Sequence, residues 1–290
     1  MTFPTAEVSQ AVGAQPVRWE PASGSGYGIN TSRSRVELAD GRTVFVKVAL
    51  DELAAGWLRK EHNVYASVTA PFIPELQGWH DEGETLLAIE DLSDAHWPPP
   101  WPSQGVDAVL SALNEIHATP PPPGLGRLEE LLEGLDGWPR IAAAPAPFLS
   151  LGLCSSEWLA AALPALAEAS AACELAGDAF LHLDVRSDNL CFRGGQALLV
   201  DWNWAVVGNP LIDVVAWLPS LRLEGGPAPW EIVSDSQGFA ALTAGFFLSL
   251  AGLPAPATAP KVREIQRLQG EVALAWAARE LSLPDLDSGP

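Results

Sequence analysis

Cysteine is scarce in this sequence, and so are cations. The three cysteines, Cys154, Cys173 and Cys191, include no Cys-x-x-Cys pair. An odd count without that spacing argues against a disulfide framework and against a zinc site. Cys191 falls in an apolar run and reads as a small buried residue. Lysine and arginine total 16 against 36 aspartates and glutamates, a formal charge of −20. Nucleic acids and anionic membranes both demand a basic face, so neither is an expected partner. A cationic substrate is compatible with that charge, and so is plain solubility. Long apolar runs are also missing. Stretches such as 141–153 are short and broken by proline, so no membrane span is predicted. The N-terminus shows no basic segment leading into an apolar one, hence no export signal, and the expected compartment is the cytoplasm. His62, His80, His96 and His117 are scattered and build no metal motif. No internal repeat is visible.

What is present is a chain of 290 residues, 48% of them hydrophobic. That is enough for one large domain or two lobes around a sizeable core. The most informative stretch runs from Phe180 to Asp213. Two apolar runs, 190–192 and 197–200, flank Gly194-Gly195, which is a hairpin signal. Asn189 stands just before the first strand and Asp201 just after the second, so pairing sets them side by side. His182 and Asp184 sit in the polar loop that leads to the same end. Four polar side chains are thus expected in one small volume, a setting for a divalent metal on oxygen ligands beside a carboxylate base.

The N-terminal region, 1–95, reads as strands around one helix. Val17 to Glu20 is a candidate first strand. Residues 33–38 and 43–50 form a hairpin about the Asp40-Gly41 turn. Between the first strand and this hairpin lies Ser23 to Asn30, with Gly24, Gly26 and Gly28. Such a loop is either a cradle of N–H groups for phosphates or an ordinary turn. Lys47 lies inside the second apolar strand, where a lysine needs a partner or a ligand. Residues 51–68 have helical spacing, with Leu53, Trp57, Val64, Tyr65 and Val68 on one face. Glu61 shares that face. A core-facing carboxylate left unpaired costs several kcal/mol, roughly, and Lys47 is the obvious partner. Further on, Glu90-Asp91-Leu92 precedes a proline-rich linker holding Trp97 and Trp101, which read as packing residues. From about 103 the chain turns helical, through 106–117, 125–138, 157–176 with Pro164 restarting a turn, 238–250 and 260–281. Asp213 reads as an N-cap for the helix that follows it.

The spacing His182-x-Asp184-x-x-x-x-Asn189, followed by Asp201, resembles the catalytic loop and second metal aspartate of kinases. Here the sequence resembles the aminoglycoside phosphotransferase family. Gly208-Asn-Pro-Leu-Ile-Asp213 strengthens the likeness, since that family often has Gly-Asp-Pro-x-x-Asp there. The resemblance implies an α+β, bilobal, protein-kinase-like fold. Its small β-rich lobe, 1–95, would bind nucleotide, and its larger helical lobe, 96–290, would carry the catalytic hairpin and the acceptor site. It implies ATP, or GTP, with Mg²⁺ as cofactors. Gly24, Gly26, Gly28, Asn30, Lys47, Glu61, Glu90 and Leu92 are the implied nucleotide-site residues. Lys47 would reach the α- and β-phosphates, and the backbone of Glu90 and Leu92 would meet the base. Asn189 and Asp201 would hold the metal. Asp184 would accept the acceptor's proton, and His182 would fix the loop by hydrogen bonds. Arg186 would either offset charge on the transferred phosphoryl group or pair with Asp188.

Asp201-Trp202-Asn203 replaces Asp-Phe-Gly, and no Ala-Pro-Glu follows. A protein kinase needs a longer activation segment, so the expected enzyme is a small-molecule kinase, monomeric or homodimeric. An aminoglycoside or other antibiotic is the acceptor the resemblance implies. A choline-, sugar- or nucleoside-like metabolite is the alternative. A nucleotide-binding module without turnover, and metal-dependent hydrolysis at His182, Asp184 and Asp188, are the competing classes. Asp188, Glu157, Trp204 and Glu231 are candidate acceptor contacts.

Overall fold

The computed structural model describes residues 3–22, 30–256 and 259–286. The chain divides into two compact units, one of residues 1–125 and 187–205, the other of 126–186 and 206–290. The compact division therefore falls later than residue 95, with 96–125 and the hairpin joining the first unit.

In the first unit, helix α1 (Thr5–Val12) precedes strands β1 (Pro16–Pro21), β2 (Thr31–Leu38) and β3 (Thr43–Ala49). Helix α2 (Glu52–Ser67), strands β4 (Leu76–His80) and β5 (Leu86–Glu90), and helix α3 (Gly105–Ala118) follow. The five strands form one antiparallel sheet in the order β1-β2-β3-β5-β4. Side chains alternate across it. Val36, Leu38, Val44, Val46, Val48, Leu86 and Ala88 point one way and are covered by Val8 and Val12 of α1. Lys47 points the other way. The region thus holds two helices, not one, because α1 covers a face that would otherwise be wet. On α2 the buried residues are Ala54, Ala55, Leu58, Glu61, Val64 and Tyr65. Leu53, expected on that face, is 72% exposed. The side chain of Asp51 caps the helix on the N–H of Ala54 at 2.8 Å, so Leu53 sits in the first turn, where the helix face is still open.

The chain then enters the second unit through a short 3-10 turn (Leu128–Leu131) and helices α4 (Leu132–Leu135), α5 (Trp138–Ala143), α6 (Ala146–Leu149) and α7 (Ser156–Ala171), ending in strand β6 (Ala179–Leu181). The helix expected over 125–138 is broken, with Gly137 outside both α4 and α5. Helix α7, by contrast, runs straight through Pro164. Its buried face of Trp158, Leu159, Ala162, Leu166 and Ser170 outweighs one missing backbone hydrogen bond.

Strands β7 (Leu190–Arg193) and β8 (Gln196–Leu199) return to the first unit as the expected hairpin. Its turn residues Gly194 and Gly195 have φ of 58° and 83°, values that glycine alone adopts freely. Cys191, Leu198, Val200 and Leu92 make a small apolar cluster beneath it, and burial pushes the Cys191 thiol up to about 12. A 3-10 turn (Trp202–Trp204) follows. The second unit resumes with β9 (Val206–Gly208), which pairs with β6, and helices α8 (Leu211–Leu223), α9 (Pro229–Ile232), α10 (Gln237–Ala251) and α11 (Val262–Glu280). Trp138, Trp217, Trp276 and Phe148 are fully buried there, and the Trp138 indole donates to the carbonyl of Ala241 at 2.8 Å. No helix among the described residues is long and apolar enough to cross a membrane.

Candidate active site

In the first unit, strand alternation turns Lys47 towards α2, where the 54-58-61-65 spacing presents Glu61. The Lys47 ammonium donates to Glu61 Oε1 at 2.7 Å, with the two side chains 5% and 1% exposed. It also donates closely to Asp201 Oδ1. Asp201 is delivered by the end of β8, in a left-handed conformation with φ of 65°. The N–H of Val200 donates to the carbonyl of Asn189 at 2.9 Å. That bond sets Asn189, itself buried, beside Asp201, as the hairpin reading required. Arg33 Nη2 lies 3.7 Å from Asp201 Oδ2. Burial alone would lower the Lys47 pKa, but the charges of Asp201 and Glu61 raise it on balance, so the amine stays protonated. Burial raises that of Glu61, against the pull of Lys47.

Asn189 and Asp201, at the open end of the hairpin, each carry a hard side-chain oxygen donor. Among the described residues no cluster of three or more His, Cys, Asp or Glu could form a closed metal cage. A donor set this small fits Mg²⁺, which takes one or two protein oxygens and fills its shell with phosphates and water.

In the second unit, the chain leaves β6 into the loop of His182, Leu183 and Asp184. Leu183 has φ of 64°, a strained value for a branched side chain. The strain is held by Asp213, whose Oδ2 accepts the N–H of His182 at 2.9 Å and whose Oδ1 accepts that of Leu183 at 2.7 Å. Asp213 is therefore not the N-cap expected from sequence. It lies in the first turn of α8, and Asn209 Oδ1 instead accepts the N–H of Leu211 at 3.0 Å. His182, fully buried, accepts the N–H of Asp184 on Nδ1 at 3.2 Å. Both contacts fix the loop that carries the Asp184 carboxylate. Arg186 Nε lies 3.5 Å from Asp184 Oδ1.

The segment after β5 is tied down on two sides. Glu90 pairs closely with Arg193 of β7, and Arg35 Nε donates to Asp91 at 2.6 Å. His96 and Phe192 exchange both backbone hydrogen bonds. Leu92 is buried, and its carbonyl accepts the Trp97 indole at 3.1 Å. The side-chain amide of Asn30 donates to Asp51 at 2.9 Å. Gly24, Gly26 and Gly28 lie outside the described residues. Of the acceptor candidates, Glu231 accepts the N–H of Ala228 at the start of its own helix at 2.6 Å, and Trp204 packs on Trp57 with centroids 4.6 Å apart. Sequence reasoning missed Arg33, Arg35 and Arg193. A signal for Arg33 existed: counting back across the Asp40-Gly41 turn places it opposite Lys47.

The family model described as "Phosphotransferase enzyme family" matches residues 26–246. No curated protein matches the sequence significantly. Among solved structures, the chain is similar to a choline/ethanolamine kinase family protein from Mesorhizobium loti, with 15% identity, a TM-score of 0.61, and 91% of each chain covered. It is also similar to a putative fructosamine-3-kinase from Thermobifida fusca YX-ER1, with 18% identity, a TM-score of 0.56, and 94% of this chain and 98% of that one covered. An amicoumacin kinase in complex with AMP-PNP, Ca²⁺ and Ami matches with 10% identity, a TM-score of 0.57, and 93% and 92% covered. At these identities the likeness is one of fold, and the fold is kinase-like. The family match spans most of the sequence, so the chain belongs to the phosphotransferase enzyme family and is a small-molecule kinase.

Proposed function

We propose that the protein transfers the γ-phosphoryl group of ATP to a hydroxyl of a small, amine-bearing molecule. The observation that carries this reading is the contact set of Lys47, Glu61 and Asp201, in which the first two are buried. An ammonium held charged by two carboxylates is suited to grip phosphate oxygens. Asn189 and Asp201 would hold Mg²⁺, which when bound offsets charge on the phosphates. Asp184 would take the proton from the acceptor hydroxyl as its oxygen bonds to the γ-phosphorus and the bond to the β–γ bridging oxygen breaks, releasing ADP. Arg186 would offset charge on the group in transit. His182 and Asp213 act through the loop, keeping Asp184 in place. The glycines at 24, 26 and 28 and the backbone of Glu90 and Leu92 would complete the nucleotide contacts.

The acceptor class rests on charge and on kinship. A chain of net charge −20 attracts cations. Proteins of the same fold are named for fructosamine and for choline or ethanolamine. Aminoglycosides and other amine-bearing antibiotics share that chemistry with choline-like metabolites, and the cytoplasm supplies the nucleotide.

The test is a panel of amino sugars, aminoglycosides, macrolides, choline and ethanolamine, incubated with Mg²⁺ and either ATP or GTP. Product formation is read by phosphorus NMR. One panel member should gain a phosphate ester, and Asp184→Asn should slow that reaction by about 10²–10⁴-fold. Nucleotide binding without transfer to any acceptor would favour a binding module, and turnover without nucleotide would favour a hydrolase.

A further inference from the structure

The β2–β3 register places Arg33 directly opposite Lys47, so both side chains leave the same face of the sheet. The Arg33 side chain is 17% exposed. Its Nη2 faces Asp201 at 3.7 Å, and its Nε is buried with no hydrogen-bond acceptor among the described residues. Its field also helps keep Glu61 ionised. The local charges therefore balance, two cations against two carboxylates.

That balance changes once Asp201 is engaged by a metal–nucleotide complex. Lys47 keeps Glu61, 2.7 Å away. Among the described residues, Asp201 is the carboxylate that Arg33 pairs with, so Arg33 is left as a largely buried guanidinium with donors to spare. Such a group is strongly disfavoured unless another anion takes over, and its planar fork matches the spacing of phosphate oxygens. Resting on the kinase reading above, we infer that Arg33 is a phosphate-binding residue of the nucleotide site, which releases Asp201 and takes non-bridging phosphate oxygens when nucleotide binds. A Lys–Arg pair on adjacent strands then grips the triphosphate, where a lone lysine would otherwise serve.

Titration calorimetry with Mg·ADP and with adenosine tests this on the purified full chain. Arg33→Gln should weaken Mg·ADP by at least about tenfold and leave adenosine within about twofold, because only the former carries phosphates. Arg33→Lys keeps the charge but loses the fork, and should show a smaller loss confined to Mg·ADP. It also carries the test if Arg33→Gln does not fold. Variants that bind Mg·ADP as the wild type does, or that lose adenosine and Mg·ADP equally, overturn the inference and leave the kinase reading intact. A wild-type protein that binds neither ligand overturns both.

Discussion

Replacing Lys47 by methionine asks whether one ammonium holds two carboxylates in a dry setting. Lys47 and Glu61 are 5% and 1% exposed. Methionine refills most of the lysine volume, so the cavity contribution is small. What remains is a buried Glu61 stripped of the cation in contact with it. Breaking one side of such a pair costs about 3–5 kcal/mol of folding stability. Asp201 adds little, because its side chain is 20% exposed and still faces Arg33. The sign with pH follows from linkage. Burial raises the Glu61 pKa and Lys47 opposes that rise; in the variant only the more distant field of Arg33 still opposes it. A carboxyl with a raised folded pKa gives stability that is full below its unfolded value and lost as pH climbs through the folded value. The deficit relative to wild type should therefore be larger at about pH 8 than at about pH 5. The stability that the raised pKa of Lys47 contributes in the wild type is lost only at alkaline pH, outside this window. Urea unfolding followed by tryptophan fluorescence, with Trp57 and Trp204 in the same unit, reads both quantities. A variant as stable as wild type at the higher pH, or a deficit equal at both, would refute the reasoning.

Asp213→Ala orphans the N–H groups of His182 and Leu183, each costing about 1–3 kcal/mol when buried without a partner. Thermal unfolding should show the loss, and kcat should fall while KM for nucleotide stays near the wild-type value. Gly137→Ala would put a methyl carbon 1.8 Å from the carbonyl oxygen of Gly245 on α10. Backbone on both sides must give way, so a loss of at least about 1–3 kcal/mol is expected, and an unchanged Tm would show that α5 and α10 do not approach as described.

Much of the candidate site was legible because its signals are local. The Gly194-Gly195 turn with its flanking apolar runs dictated a hairpin, and the hairpin dictated that Asn189 and Asp201 be neighbours. Period 2 in β3 and period 3.6 in α2 placed Lys47 and Glu61 on buried faces. What escaped was decided by distant packing. Helix α1 spans eight residues, too short to announce itself without the sheet face it covers. Strand β4, Leu-Gln-Gly-Trp-His, carries no alternation. Strands β6 and β9 have three residues each and exist only as each other's partner. Asp213 looked like a cap because aspartate before a helix usually is one. Its real partners, two N–H donors some thirty positions earlier in sequence, leave no trace in the local pattern.

The first unit is discontinuous in sequence, and this has a bearing on how the polypeptide matures on the ribosome. The sheet and α2 emerge early, but the segment 187–205 that completes their unit emerges only after the stretch 126–186 has been made. Until then Lys47 and Glu61 wait without Asp201, and Leu92 waits without Cys191, Leu198 and Val200. The nascent N-terminal portion must therefore persist as an unfinished, sticky intermediate, and a fragment ending at residue 125 would inherit that condition permanently.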